Sequence, residues 1–212
     1  MALVLLARPS AAQTAENPCA PLPDANASAA NENPWSFSAF AFTYFPPDSR
    51  AYVNPNLTVD YRWLHLEARY NYEALETGST WVGCNFKVGD ELAFAATPMV
   101  AGVFGELTGI ALGATLSLTL GGIELSSQSE YVIAAKDRSR DFFYTWSELS
   151  YAPADWFRAG LAVQRTQVYK TDLDIQRGLL AGFSVEKVNL TAYVFNIGWT
   201  DPTVVLSVGA TF

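Results

Sequence analysis

Thr203-Val-Val-Leu-Ser-Val-Gly-Ala-Thr-Phe212 ends the chain in strict alternation. Val204, Leu206, Val208, Ala210 and Phe212 share one face of an extended segment, and Val205, Ser207, Gly209 and Thr211 share the other. A period of two marks a β-strand whose faces meet different surroundings. The same period settles the longest uncharged run, Leu107 to Ile123, whose 17 residues approach the roughly 20 needed for a membrane helix. There Ile110, Leu112, Ala114, Leu116, Leu118 and Leu120 alternate with Ala111, Gly113, Thr115, Ser117 and Thr119. A helix would scatter Gly, Ser and Thr around all its faces, whereas a strand sorts them onto one.

An alternating last strand that stops on Phe resembles the C-terminal strand of Gram-negative outer-membrane β-barrel proteins. The resemblance is to the class, and it implies export through the periplasm, residence in the outer membrane and recognition by the barrel assembly machinery. Val204, Leu206, Val208, Ala210 and Phe212 would be the assembly signal. Composition agrees with this class. The 212 residues fit one domain, half of them apolar and 16% charged, and 6 Trp, 10 Tyr and 13 Phe could furnish aromatic girdles at two membrane interfaces. A net charge of −8 with no basic run argues against nucleic acid, because phosphate binding requires clustered Lys and Arg.

Residues 1–12 resemble the end of a secretory signal peptide. Met1–Ala7 is a short apolar run, and Ser10 and Ala12 are small residues ahead of a cleavage point before Gln13. The basic residues that usually precede such a run are missing, which leaves the true start open. Residues 13–34, rich in Ala, Asn and Pro, read as a flexible periplasmic leader. Cys19 lacks a preceding lipobox. Cys84 shares a strand face with Val82, Phe86 and Val88 and reads as a small hydrophobe, although a Cys19–Cys84 disulfide would be possible in the periplasm.

Residues 35–212 read as an all-β, membrane-spanning antiparallel up-and-down β-barrel of 12 strands. Trp35–Phe45 is the first, with Phe40, Phe42 and Tyr44 opposite Ala39, Ala41 and Thr43. Leu57, Val59, Tyr61 and Trp63 follow, and then the parity flips to Leu64, Leu66, Ala68, Tyr70 and Tyr72. A two-residue turn at Trp63-Leu64, pairing Arg62 with His65, would explain the flip. A β-bulge in one long strand is the competing reading and would lower the count to 10. Further strands carry Val82–Val88, Leu92–Ala96, Ile110–Leu120, Ile123–Glu130, Asp141–Tyr151, Phe157–Gln164, Leu179–Glu186 and Val188–Gly198 before the last one. Pro98 to Gly109 reads as a Gly-rich connection. Tight connections near 63, 89, 121, 153 and 187 alternate with longer ones near 48, 76, 103, 138 and 172, and a short one near 200 breaks the pattern. Periplasmic turns and external loops alternate in this way. In a soluble sandwich or lipocalin-like barrel the large apolar side chains point inward. Here one face is apolar and the other carries Gly, Ala, Ser, Thr and charges, so the apolar face is expected to meet lipid.

The expected lumen then holds Asp60, Arg62, His65, Glu67, Arg69, Asn71, Asn85, Lys87, Glu124, Gln128, Glu130, Glu148, Arg158, Gln164 and Glu186. Both signs occur on neighbouring strands, so ion pairs across the barrel are expected. Trp81, Tyr144 and Trp146 could narrow it. The function expected is a narrow channel for small solutes or ions, since lining charges select what passes. An alternative is a barrel that binds a partner through the Lys136–Arg140 and Val168–Ile175 loops. Outer-membrane lipid hydrolases, some of them twelve-stranded, are a weaker alternative. His65 is the single histidine, and Glu rather than Ser stands two residues on. No catalytic set, cofactor motif or metal-ligand spacing is recognised.

Overall fold

The computed structural model describes residues 34–47, 49–168, 174–198 and 202–212. The signal, most of the leader, Cys19 and most of the Val168–Ile175 loop lie outside these residues. The described chain forms a 13-stranded antiparallel sheet that returns on itself. In chain order its strands are β1 (Trp35–Phe45), β2 (Tyr52–Tyr61), β3 (Leu64–Tyr70), β4 (Thr77–Cys84), β5 (Phe86–Val88), β6 (Leu92–Gly105), β7 (Gly109–Leu120), β8 (Ile123–Ala134), β9 (Phe142–Ala154), β10 (Phe157–Val168), β11 (Asp174–Val185), β12 (Val188–Phe195) and β13 (Thr203–Thr211).

β4 and β5 are two parts of one strand. Thr77↔Gly105 through Gly83↔Met99 and Phe86↔Ala96 through Val88↔Phe94 keep a single register against β6. The gap falls opposite Pro98, which has no N–H to give to the ladder. The 13 segments therefore make a closed barrel of twelve spanning strands. The seam is β1 against β13, from Phe45↔Val204 to Ser38↔Thr211. It ends where Phe37 and Phe212 exchange backbone hydrogen bonds of 3.2 and 2.8 Å.

Several boundaries differ from the sequence expectation. The hairpin after β2 turns on Arg62-Trp63, one residue early, so Tyr61 faces Leu64 and Asp60 faces His65. The backbone there needs a positive φ, 55° at Arg62, a conformation that arginine rarely adopts and that the sequence does not announce. A hairpin, and not a bulge, thus explains the parity flip. Pro98 to Gly105 continues β6, leaving only residues 106–108 as a connection. Pro153 likewise lies inside β9, and the turn to β10 is Asp155-Trp156. β12 ends at Phe195 and β13 starts at Thr203, so these two strands are farther apart in sequence than the short connection expected near 200. Cys84 is disulfide-bonded and not merely a small hydrophobe.

The outward face is apolar. Leu57, Leu66, Val82, Leu112, Leu125, Leu161, Leu190, Leu206 and Val208 are all exposed, Leu57 at 58%. Exposed rings form two girdles: Phe45, Tyr70, Phe104 and Tyr131 toward the loop end, and Trp35, Phe37, Tyr151, Trp156 and Phe212 toward the turn end. In water such a surface would be untenable, and in a bilayer it is the expected arrangement. Val204, Leu206, Val208, Ala210 and Phe212 all lie on this face, as their alternation predicts. Among the described residues, two charges on the strands do not point inward. Arg165 and Arg177 alternate with the lumen-facing residues of β10 and β11, close to the loop end, where a charge costs least.

β1 overturns a second expectation. Phe40, Phe42 and Tyr44 face the lumen, while Trp35, Phe37 and Phe45 face outward. Both faces of this strand are aromatic, so its pattern does not reveal its orientation. Glycines on facing strands make room inside. A Cβ on Gly209 would fall 2.0 Å from the Phe40 ring, and one on Gly113 would fall 2.8 Å from Trp81. Large and small side chains interleave to fill the lumen.

Gly209→Val should therefore displace Phe40 at the seam, with an overpacking cost of about 1–3 kcal/mol. We expect a smaller heat-modifiable, assembled fraction on gels for this variant than for Val208→Ala on the lipid face.

Candidate functional site: the barrel lumen

The lumen is organised around Arg69. Its side chain is 1% exposed, with Nη2 2.7 Å from Glu67 Oε2 and Nη1 2.9 Å from Glu130 Oε2. The Gln128 carboxamide, oxygen turned toward the guanidinium, adds contacts of 3.0 and 2.7 Å. The cation also lies 4.7 Å from the centre of the Tyr72 ring and 4.5 Å from that of Trp81. Strand alternation explains the convergence. Glu67 and Arg69 are two apart on β3, Gln128 and Glu130 two apart on β8, and both pairs point inward.

A second branch runs toward the turn end. His65 Nδ1 is 2.8 Å from Asp60 Oδ1, and His65 Nε2 is 3.6 Å from Glu67. Asn85 donates to Asp60 at 2.6 Å and accepts from Thr97 Oγ1 at 2.7 Å. His65 therefore lies between two carboxylates. On the opposite wall Arg158 Nη1 lies 2.8 Å from Glu148, and Tyr193 and Trp146 each donate to Glu148 at 2.8 Å. Tyr144 donates to Gln164 at 3.2 Å.

The expected lumen residues thus separate into groups. Asp60, His65, Glu67, Arg69, Asn85, Gln128 and Glu130 form one connected network, and Glu148 with Arg158 forms another. Gln164 joins Tyr144 near the loop end. Glu124 and Lys87 are exposed near the turn end. Arg62 and Glu186 are not in the lumen, since each occupies a two-residue turn at positive φ, and Arg62 lies 5.4 Å from the Tyr61 ring. Asn71, at φ 58°, caps the loop after β3 by accepting from Glu76 N and donating to Val53 O.

That loop, residues 71–76, supplies what the sequence reading missed. Glu73 is buried, accepting from Ser79 Oγ at 2.5 Å and Trp81 Nε1 at 3.3 Å. Tyr72 meets Tyr144 edge to face at 5.7 Å, and Tyr44 stacks on Tyr52 at 4.9 Å. Trp81, Tyr144 and Trp146 do point inward, as expected, but the narrowest part includes Tyr44 and Tyr72 as well. In the sequence Tyr72 continues the apolar set of Leu64, Leu66, Ala68 and Tyr70, but β3 ends at Tyr70 and the chain then turns inward, so period two places neither Tyr72 nor Glu73.

Two cavities flank this constriction. One of about 510 Å³ opens toward the turn end and is lined by Phe40, Phe42, Asn56, His65, Glu67, Glu124, Trp146, Glu148, Arg158 and Tyr193. The other, about 340 Å³, lies toward the loop end and is lined by Tyr52, Asn54, Asn71, Glu73, Phe142, Tyr144 and Gln164. Tyr44 and Tyr72 line both.

No protein-family model and no curated protein matches the sequence. Solved structures do resemble the fold. A KdgM porin shares 12% identity at a TM-score of 0.56, over 82% of this chain and 99% of its own. A KdgM porin in complex with disordered oligogalacturonate shares 13% at 0.53, over 84% and 99%. The Acinetobacter baumannii outer membrane protein Omp33 shares 9% at 0.50, over 84% and 98%. The likeness is one of fold: a closed, twelve-stranded, porin-like barrel of the Gram-negative outer-membrane type.

Arg69→Met should leave Glu67 and Glu130 buried without their cation, at a cost of about 3–5 kcal/mol. Urea unfolding in detergent is expected to show this loss. Much of it should return when both carboxylates are also made Gln.

Proposed function

We propose that the protein is a narrow outer-membrane channel for small solutes that prefers cations over anions. One observation carries the reading: two lumenal cavities, one toward each end of the barrel, share Tyr44 and Tyr72 in their lining and so adjoin inside it. The charges on that path favour cations. Glu67, Glu124 and Glu148 line the larger cavity against His65 and Arg158, and among the described residues Glu73 is the only charged one lining the smaller. Rings of carboxylates in a low-dielectric passage attract cations and repel anions.

The same surplus argues against a polyanion. One KdgM porin structure is titled as a complex with oligogalacturonate, but an acidic lumen is a poor match for a chain of uronates. On this reading Asp60, His65, Glu67, Arg69, Gln128 and Glu130 set the electrostatic profile of the passage, while Arg158 and Gln164 belong to its wall. The outward residues Val204, Leu206, Val208, Ala210 and Phe212 would serve as the signal read by the assembly machinery.

Planar-bilayer recording of the refolded protein tests the proposal. Small single-channel steps with a cation-selective reversal potential in a KCl gradient are expected. Tyr72→Ala should enlarge the steps severalfold, and Glu124→Lys should shift the reversal potential toward anions. A barrel that never conducts, in wild type and Tyr72→Ala alike, would refute the channel.

A further inference from the structure

We infer that the loop-end cavity is a binding site for a small organic ammonium ion, preferentially a primary one. The inference rests on the channel reading only in its consequence, that the site would stand at the mouth of the passage; the binding itself needs no conduction.

Three observations converge on the cavity of about 340 Å³. Its wall is aromatic: Tyr52, Tyr72, Phe142 and Tyr144 present ring surface to a small space. Aromatic faces carry negative potential and attract cations, most strongly where water is excluded. This barrel already uses one of these rings so, since the Arg69 guanidinium lies 4.7 Å from the centre of Tyr72. That cation is matched by Glu67 and Glu130 at 2.7 and 2.9 Å. It does not line the cavity and does not neutralise it.

Charge is the second observation. Glu73 lines the cavity, and among the described lining residues there is no Lys or Arg. The third concerns acceptors. Glu73 Oε2 and Asn54 Oδ1 are buried without a hydrogen-bond partner, on side chains of residues only 7% and 4% exposed. A buried acceptor left unmatched is costly, and a ligand with several N–H donors removes that cost. A metal ion fits poorly, because no group of three metal-ligating side chains occurs among the described residues. An alkyl or arylalkyl ammonium suits all three observations: its charge is drawn to Glu73, its hydrocarbon part lies against the rings, and small side-chain shifts on binding would bring its N–H groups to the two unmatched oxygens. A quaternary ammonium would gain the rings but leave both oxygens unmatched.

Calorimetric titration of the full-length protein refolded in detergent tests this with benzylammonium as probe. Saturable one-to-one binding is expected, about tenfold or more tighter than benzyl alcohol and tighter than phenyltrimethylammonium. Glu73→Gln should weaken benzylammonium at least about tenfold, whereas Glu124→Gln in the other cavity should leave it unchanged. Should Glu73→Gln lose its heat-modifiable migration, Asn54→Asp serves instead: a second carboxylate beside the site should tighten binding. Equal affinity for benzyl alcohol, or indifference to a folded Glu73→Gln or Asn54→Asp, overturns the site. Absence of conductance with binding intact would remove the channel and keep the site. Conductance without selective ammonium binding would do the reverse.

Discussion

Backbone hydrogen bonding in lipid is the constraint on which the rest of this structure depends. No water is available there to satisfy an exposed N–H or C=O, so a sheet can cross only if its two edges meet. Here they meet where β1 takes β13 along almost its whole length. Once the sheet is closed, alternation has no further freedom: every second residue lies against hydrocarbon, and the others share the interior. A place where the ladder is imperfect shows how tight the rule is. Pro98 interrupts pairing between β6 and the β4–β5 strand, and at the gap the Asn85 N–H bonds to the Trp63 carbonyl at 2.7 Å on its other side.

The interior is where this barrel departs from a simple water-filled tube. Its polar groups are mutually matched over long stretches, and rings from β1, β4, β9 and β12 crowd the space between them. Trp146 touches Tyr193 and Phe195 edge to face at 5.0 and 5.2 Å, forming an aromatic wall beside the Glu148–Arg158 pair. Burying a guanidinium with two carboxylates is tolerable only because ring faces and an amide complete its surroundings. The consequence is an interior walled on one side by the Arg69 cluster and on another by the loop that carries Tyr72.

Much of the architecture was legible because period two survives in single strands. The bounds of Trp35–Phe45, the outward face of the last strand and the placement of Glu67, Arg69 and Glu130 together in the interior follow from alternation alone. What was hidden had local causes. The alternation of Phe40, Phe42 and Tyr44 with Ala39, Ala41 and Thr43 does not reveal that the rings face the lumen, because both faces of the strand are aromatic and the glycine that admits Phe40 lies on a strand distant in sequence. Pro98 and Pro153 looked like breakers, yet each occupies a strand position. Arg62 adopts a left-handed turn that its side chain does not favour. Tyr72 and Glu73 were invisible as interior residues because a loop that folds inward follows no period at all.

The seam has a temporal meaning as well. Ser38 and Thr211 touch through their hydroxyls across 173 positions of sequence. Hairpins between neighbouring strands can form early, since little chain entropy opposes them, but contacts this distant come late and slowly. β1 must wait, with one edge unpaired, until β13 has been delivered. A ribosome-bound or half-exported chain therefore has no route to the native state. During that interval its survival depends on whatever keeps an open sheet from pairing with the wrong neighbour.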